Sequence, residues 1–567
     1  MEEFFKDLDE DKELLELVLK LSLLNAVKHD GKARQGSVIS GVLGEYPDRK
    51  KDMKNLSKTI GTIINRVNNT ELESQKELLL ELDSSALDKK EKNTDLFKMF
   101  NIEEGQDVVT AFPPGPEKQP HIGHAKALLV NYMLAEKYKG EFILRFEDTN
   151  PGLVKEEYYD IMQRDFEWLG VKWDKLVYAS DYMELYYKHC LELIEQDKAY
   201  ICSCTGEEIK KGRETGIHCS CREQSLDENL KAWKNMPFQE PGNSIVRMKI
   251  DLKHKNSTMR DPAIMRINKE THARHGNEYS IWPAYDFQNA IMDGYFNVTH
   301  RLRSKEFEMR NELQRYIQDL LEYNQTNIYE FARFNLEGVI SSGRTIREKI
   351  DSGELIGWDD PNLTTIAALR KRGFLPEAIK NFVISTGISK SEATMTWDDL
   401  VIHNKRLLDE NADRYFFVKD PVEVKVENAP KMELDLNLHP TIRKGGRKHE
   451  TNEYFYISRD DFKMLEEGSI YRFIECYNVR YKKDNTFEFV DENVETYKER
   501  GKSMLHYLPK EEGIVEAEVM LPNKEIDQGF AESYIENVEE GSVVQFERYG
   551  FARLDDKETF YFRYTHN

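Results

Sequence analysis

The spacing of apolar positions changes three times along the chain, and each change predicts a different kind of structure. Over residues 1 to about 95, Leu14, Leu17, Val18, Leu21 and Leu24 recur at helical spacing, and LSKTIGTIINRVNN (56–69) continues that pattern. Helices that bury one face are predicted there. The run KKEKNTD (89–95) has the composition of a linker. From about residue 105, QDVVTAF is a short β run, PPGPEKQP a Pro/Gly-rich turn, 121 to about 138 an amphipathic helix, and EFILRF a second strand. Strand, loop, helix and strand make a βαβ unit, which predicts a parallel sheet of the nucleotide-binding type. Apolar stretches return at SIVRMKI (244–250) and YFNVTHRLR (295–303), so residues 200–250 read as an insertion between two halves of that sheet. Helical patterning resumes over 340–411. After RYFFVKDP the chain is β-rich to its end, through VEVKVEN, EYFYIS, YRFIECYNVRY, VEAEVML, SVVQFERYGFARLD and ETFYFRY. Short strands at fairly even spacing predict barrels or a sandwich.

Composition narrows the picture. A chain of 567 residues is long enough for three to five domains, and its 11% aromatic content argues against global disorder. The start, MEEFFKDLDEDKELLELVLK, lacks the basic and apolar regions of a signal peptide, and no later run reaches membrane-spanning length. A cytosolic protein without a membrane role is expected. The net charge of −22 repels phosphate in general, so any nucleic-acid surface must be a local basic patch. Two clusters qualify, Arg370-Lys371-Arg372 and the group Arg443, Lys444, Arg447, Lys448 and His449 around a Gly-Gly turn. Each is equally well a solvated loop.

Four of six cysteines form two Cys-x-Cys pairs, Cys202 with Cys204 and Cys219 with Cys221. Four thiolates so arranged meet tetrahedrally around zinc, with unliganded thiols as the plain alternative and His218 as a substitute ligand. Cys190 and Cys476 are isolated and read as core.

The densest chemistry lies in PPGPEKQPHIGHAK (113–126). Pro120 suits a helix start, which puts His121 and His124 in the first turn on a shared face. Unpaired N–H groups and the positive end of the helix dipole attract phosphate there. Gly123 leaves room for a purine against the backbone. A Gly-rich phosphate loop and a G-x-G-x-x-G fingerprint are both absent from the sequence.

Taken in order, PHIGHAKALL, LRFEDTNP, MRDPAIMRIN, WPAYDFQNAI, VTHRLRSKEF and GWDDPNL resemble glutamyl-tRNA synthetase of the archaeal type, in the group that also holds glutaminyl-tRNA synthetase. LLNAVKHDGKARQGSVISGVLGE, NADRYFFVKDP and VVQFERYGFARLD extend the resemblance over nearly the whole chain. It implies a class I synthetase with a Rossmann-type α/β core in two halves (101–199 and 251–338). Around that core it places an N-terminal helical region (1–100), an insertion that approaches the tRNA acceptor end and carries the zinc (200–250), a mobile loop with a helical connecting domain (339–411), and C-terminal antiparallel β-barrels that bind the anticodon (412–567).

The resemblance also implies the reaction: glutamate attacks the α-phosphate of ATP, bound with Mg2+, and the adenylate is passed to the 3′ end of tRNA, with tRNA needed for activation. His121 and His124 match hydrogen-bond donors to ATP, with Pro114, Gly123, Ser341 and Ser342 also at the nucleotide. Glu147 matches the carboxylate for the substrate ammonium, Tyr285 and Asn289 match further amino-acid contacts, and Arg303 matches the arginine facing the glutamate side chain. Glutaminyl enzymes do not keep that arginine. Arg370, Lys371, Arg443, Lys444 and Arg447 are the tRNA candidates, and a protein partner is a further expectation for the N-terminal helices.

Two positions depart from the pattern. Ala111 stands where the family has an arginine that helps hold the amino acid; Arg301, on the same strand face as Arg303, is a candidate replacement. In VISSGRT (339–345), Gly343 stands where the family has a lysine for the triphosphate, leaving Arg344 as the remaining cation. An impaired paralogue that works by binding, or a glutaminyl enzyme, are the competing readings.

Overall fold

The computed structural model describes residues 2–567 except 7, 9, 29–30, 47–48, 50–51, 83–95, 101, 104 and 341; the linker at 89–95 and Ser341 thus lie outside the described residues. The chain divides into two compact units, residues 1–95 and 96–567.

The first unit contains helices Glu2–Phe5, Lys12–Lys28, Gln35–Glu45, Met53–Asn68 and Leu72–Leu82. In Lys12–Lys28 the buried stripe runs through Leu14, Leu15, Val18, Leu19, Leu23 and Ala26, while Leu17, Leu21 and Leu24 are only half-buried. The stripe is rotated from the predicted one because three later helices pack around this leucine-rich segment and decide which leucines face inward.

The second unit is built on a five-stranded, all-parallel sheet of β1 (Val109–Phe112), β2 (Glu141–Phe146), β3 (Lys175–Tyr178), β4 (His300–Ser304) and β5 (Asn327–Phe331), in the order β3-β2-β1-β4-β5. Helix α1 (Ile122–Tyr138) crosses from β1 to β2. Its end is set by Lys139 in the left-handed region and by Gly140, where a Cβ would fall 2.0 Å from the Val108 carbonyl oxygen. The predicted βαβ unit is therefore present, with Val109 opposite Glu141.

Between β3 and β4 lies a separate antiparallel sheet of Ala199–Cys202, Ile245–Met248, Ala263–Ile267 and Ile281–Pro283. The SIVRMKI segment belongs to this sheet, so the interposed structure continues to Pro283, well past residue 250. An apolar run specifies a buried strand but not the sheet it joins. Helices α2 (Tyr285–Tyr295) and α3 (Asn311–Leu320) flank β4, and α4 (Gly343–Asp351) opens the helical region. The C-terminal part holds two seven-stranded sheets over separate cores. In Pro421–Glu427, Val422, Val424 and Val426 alternate inward as the period-two pattern predicts. Both sheets are mixed rather than purely antiparallel, since Lys425 pairs in parallel with Thr486 and Val519 with Phe562. Among the described residues, no helix is long and apolar enough to cross a membrane.

Candidate active site

At the carboxyl end of β1 the chain turns through the Pro-rich loop into α1, whose first turn carries both histidines. His121 is the N-cap: its Nδ1 accepts the Gly123 N–H at 3.1 Å, and the His121 N–H is donated to Nδ1 of His124 at 3.1 Å. The rings lie 4.1 Å apart between centroids. Burial, then the charges of Lys118 and Arg333, push His121 down to about 3; burial, His121 and the same two cations push His124 well below its ordinary value. Both rings are neutral at physiological pH. With each Nδ1 engaged as an acceptor, the ring proton belongs on Nε2, so the pair presents two N–H donors. A Cβ on Gly123 would meet His121 Cε1 at 2.8 Å; the bare Cα there makes room for the capping imidazole, a different constraint from the purine clearance read from sequence. The turn is fixed from outside by Ile122 N–H to Thr364 O and Ile366 N–H to Pro120 O, both 2.9 Å.

Next to this turn, β2, β4 and α2 enclose a buried layer of charge. Arg145 donates from Nε to Glu147 Oε1 at 2.9 Å and from Nη1 to Asp293 Oδ1 at 2.8 Å. Arg301 reaches Asp293 Oδ2, Asn289 Oδ1 and Gln314 Oε1, each at 2.5 Å. Asn289 returns its Nδ2 to Glu147 Oε2 at 2.8 Å. Glu147, Asn289 and Arg301 thus come together, and all three are already hydrogen-bonded to one another or to Arg145 and Asp293. Burial first, moderated by Arg145, raises the Glu147 pKa. Each Glu147 oxygen retains a lone pair for one further donor.

Arg303 differs from its neighbours. Its hydrogen bonds go to Gln314 Oε1 at 3.1 Å, the Phe307 carbonyl at 3.4 Å and Asn311 Oδ1, all neutral acceptors. Burial and then repulsion from Arg301 push its pKa down to about 10. Tyr285, stacked on Phe307 at 5.7 Å, sits beside Arg301 and Arg303. Asn131 of α1 holds β4 between its two arginines, giving Nδ2 to Leu302 O at 2.8 Å and accepting Leu302 N–H at 3.0 Å. Ala111 is buried in the apolar cluster with Ile143, and the pairing of Thr110 with His300 sets Ala111 and Arg301 next along the same face.

Asp293, Arg145 and Gln314 were not singled out by sequence. Asp293 lies four residues after Asn289 on α2, and Arg145 two before Glu147 on β2, so the spacing rules for shared faces reach both. Gln314 is brought in from α3 by tertiary packing alone.

Other sequence candidates are placed differently. Pro114 gives its carbonyl to the Glu147 N–H at 2.9 Å, and Ser342 caps α4 through Thr345. Arg344 is exposed and paired with Glu348 at 2.8 Å; the cations acting on the histidines are Lys118 and Arg333 instead. Arg370 pairs with Asp165 at 3.1 Å and Lys371 with Asp359 at 2.8 Å. Arg443 is bound to Asp413, and Lys444 to the Pro440 carbonyl. Arg447, placed by sequence among the phosphate contacts, is 2% exposed and held by Glu532 at 2.9 Å and Glu547 at 3.3 Å. The β-hairpin register turns it inward, so it braces the β region rather than facing solvent.

The four cysteines of the interposed segment converge, with all sulfurs within 4.8 Å of one another, Cys202 to Cys219 at 3.8 Å and Cys204 to Cys221 at 3.9 Å. Tetrahedral zinc with Zn–S bonds near 2.3 Å requires sulfurs about 3.8 Å apart, and this set fits. His218 lies outside the cluster, 3.5 Å from Glu223.

A parallel sheet with two neutral histidine donors at its carboxyl edge, beside a buried layer of arginines, is an α/β protein with a candidate ligand site at the end of the sheet where such folds bind their ligands. Residues 107–410 match the family of class I tRNA synthetases (E and Q), catalytic domain, and residues 412–497 and 503–555 match two anticodon-binding domain families of the same group. The chain is 39% identical to a glutamate-tRNA ligase of Pyrococcus furiosus and 38% identical to that of Pyrococcus abyssi, each alignment covering 96% of this chain and 98% of the relative. A glutamate-tRNA ligase of Methanothermobacter thermautotrophicus is 37% identical, with 95% and 97% covered. The chain belongs to the class I tRNA synthetases of the E and Q family.

Proposed function

We propose that the chain is a glutamate-tRNA ligase, and the observation that carries this reading is Arg303. Arg145 and Arg301 are neutralised by Glu147 and Asp293, whereas the hydrogen bonds of Arg303 go only to neutral groups. A buried guanidinium without a carboxylate calls for an anionic ligand. The γ-carboxylate of glutamate supplies one, and the neutral amide of glutamine does not. Tyr285 flanks that side chain, and the free lone pairs of Glu147 receive the α-ammonium.

In the first step a carboxylate oxygen of glutamate forms a bond to the α-phosphorus of ATP, and the bond to the bridging oxygen breaks, so that pyrophosphate leaves with the electron pair. In the second, a ribose hydroxyl of the tRNA's terminal adenosine attacks the adenylate carbonyl, and AMP leaves. The Nε2–H groups of His121 and His124 donate to ATP oxygens. Being neutral, they withstand the pH changes that would titrate ordinary histidines. ATP enters as its Mg2+ complex. Cys202, Cys204, Cys219 and Cys221 hold a structural zinc that fixes the interposed segment. The family's anticodon-binding domains form the C-terminal region, and the reaction belongs to the cytoplasm.

ATP–pyrophosphate exchange with glutamate or glutamine, with and without total tRNA, tests the reading. Exchange with glutamate and tRNA is expected. Absence of exchange despite tRNA binding would instead support a chain impaired by Ala111 and Gly343, and exchange with glutamine alone would make it the glutaminyl enzyme.

A further inference from the structure

Gly343 lacks the side chain that the family signature places there, and another residue fills the space. A Cβ on Gly343 would lie 2.8 Å from Cδ and 3.3 Å from Cβ of Lys118, so the Lys118 stem lies across the bare Cα of Gly343. Conformational need does not explain this glycine, since it begins α4 without a positive φ. A side chain at 343 and the Lys118 stem compete for the same volume.

Lys118 sits in the Pro-rich loop three residues before His121, and its charge and that of Arg333 both bear on His121 and His124. The other cations at this edge are committed: Arg333 to Glu306 at 2.6 Å, Arg344 to Glu348 at 2.8 Å, and Arg347 to the Glu117 carbonyl at 3.2 Å. Lys118 closes no hydrogen bond or ion pair among the described residues. Burial, then Arg333, lowers its pKa, as befits an ammonium whose counter-charge arrives with a ligand. An unpaired ammonium, two imidazole N–H donors and the start of α1 therefore converge where a polyphosphate is received.

We infer that Lys118 binds the triphosphate of ATP and does from the Pro-rich loop what the signature lysine, absent at Gly343, would do from the other side. The inference rests on the ligase reading. As the bond between the α-phosphorus and the bridging oxygen breaks, negative charge grows on the departing pyrophosphate. Lys118 donates hydrogen bonds to it without giving up a proton.

The test uses the full chain in glutamate-dependent ATP–pyrophosphate exchange with tRNA. Lys118→Ala is expected to lower kcat by about 10²–10³ with the glutamate KM within about threefold, while the melting temperature stays close to that of the parent. The double variant Lys118→Ala/Gly343→Lys, in which the new lysine enters the vacated space, is expected to regain at least about tenfold of that loss. Gly343→Lys alone, with both stems in one volume, is expected to slow the parent. A Lys118→Ala rate within about threefold of the parent, or a double variant no faster than Lys118→Ala, overturns the inference. Should the parent show no exchange, the ligase reading falls, and calorimetric binding of pyrophosphate then decides the role of Lys118: about tenfold weaker binding by Lys118→Ala supports it, and unchanged binding overturns it.

Discussion

Replacing Arg303 by methionine is expected to move stability and activity independently. In the free protein the guanidinium is 7% exposed and its pKa is pushed down from its ordinary value to about 10 by burial and Arg301, which corresponds to roughly 3 kcal/mol against the charged form. Because the folded value is depressed, that penalty stands at every pH below about 10 and is relieved only above it. Methionine removes the penalty but leaves Asn311 Oδ1 without its donor, a loss of about 1–3 kcal/mol. The two effects oppose each other, so the melting temperature is expected to stay within about 5 °C of the parent. Glutamate activation has no such offset. Removing one partner of a desolvated charge pair costs about 2–5 kcal/mol, which lowers kcat/KM for glutamate roughly 30-fold to several-thousand-fold. Thermal unfolding followed by circular dichroism, and exchange kinetics with glutamate titrated in the presence of tRNA, read the two quantities. A fall in kcat/KM below about tenfold would refute the assignment of Arg303 to the substrate carboxylate. A melting temperature lowered by more than about 10 °C would refute the claim that its charge is uncompensated in the free protein.

Asp293 bridges Arg145 and Arg301 at 2.8 and 2.5 Å, so Asp293→Ala leaves Arg301 buried without a carboxylate and Arg145 with Glu147 alone, and is expected to destabilise the catalytic region by about 3–5 kcal/mol, measured as a lowered thermal midpoint and increased proteolysis; a midpoint unchanged within about 2 °C would sink that view. Burial would lower the His449 pKa, but Glu511 at 2.8 Å and Glu532 at 3.7 Å prevail and raise it to about 9. A raised folded value stabilises fully below about pH 6.5 and is lost as pH rises through 9, so the β region is expected to weaken by up to about 3 kcal/mol over that window in denaturant titrations, and His449→Gln to flatten the slope; equal slopes would refute the coupling. The purified chain is expected to carry one zinc, released to a colorimetric chelator when thiols are modified, and Cys219→Ser to lose it; a zinc-free parent of unchanged stability would count against the site.

The local features were legible in the sequence. The βαβ unit follows from periods of two and 3.6 and from the Pro-rich turn. His121 and His124 share a face through their spacing, and the Cys-x-Cys pairs announce the cluster of four cysteines. Each depends on neighbours within one turn or strand, where backbone geometry alone fixes direction. Tertiary structure decided what depends on partners distant in sequence. The apolar run at 244–250 joined an antiparallel sheet because strand pairing is settled by packing. Arg447, indistinguishable in sequence from a surface cation, was drawn inside by Glu532, which lies 85 residues away. Gln314 reached Arg301 and Arg303 only through the docking of α3. The sequence alone marked Gly343 as a missing charge; folding laid Lys118 across it, because the space left by an absent side chain is visible only once the two loops meet.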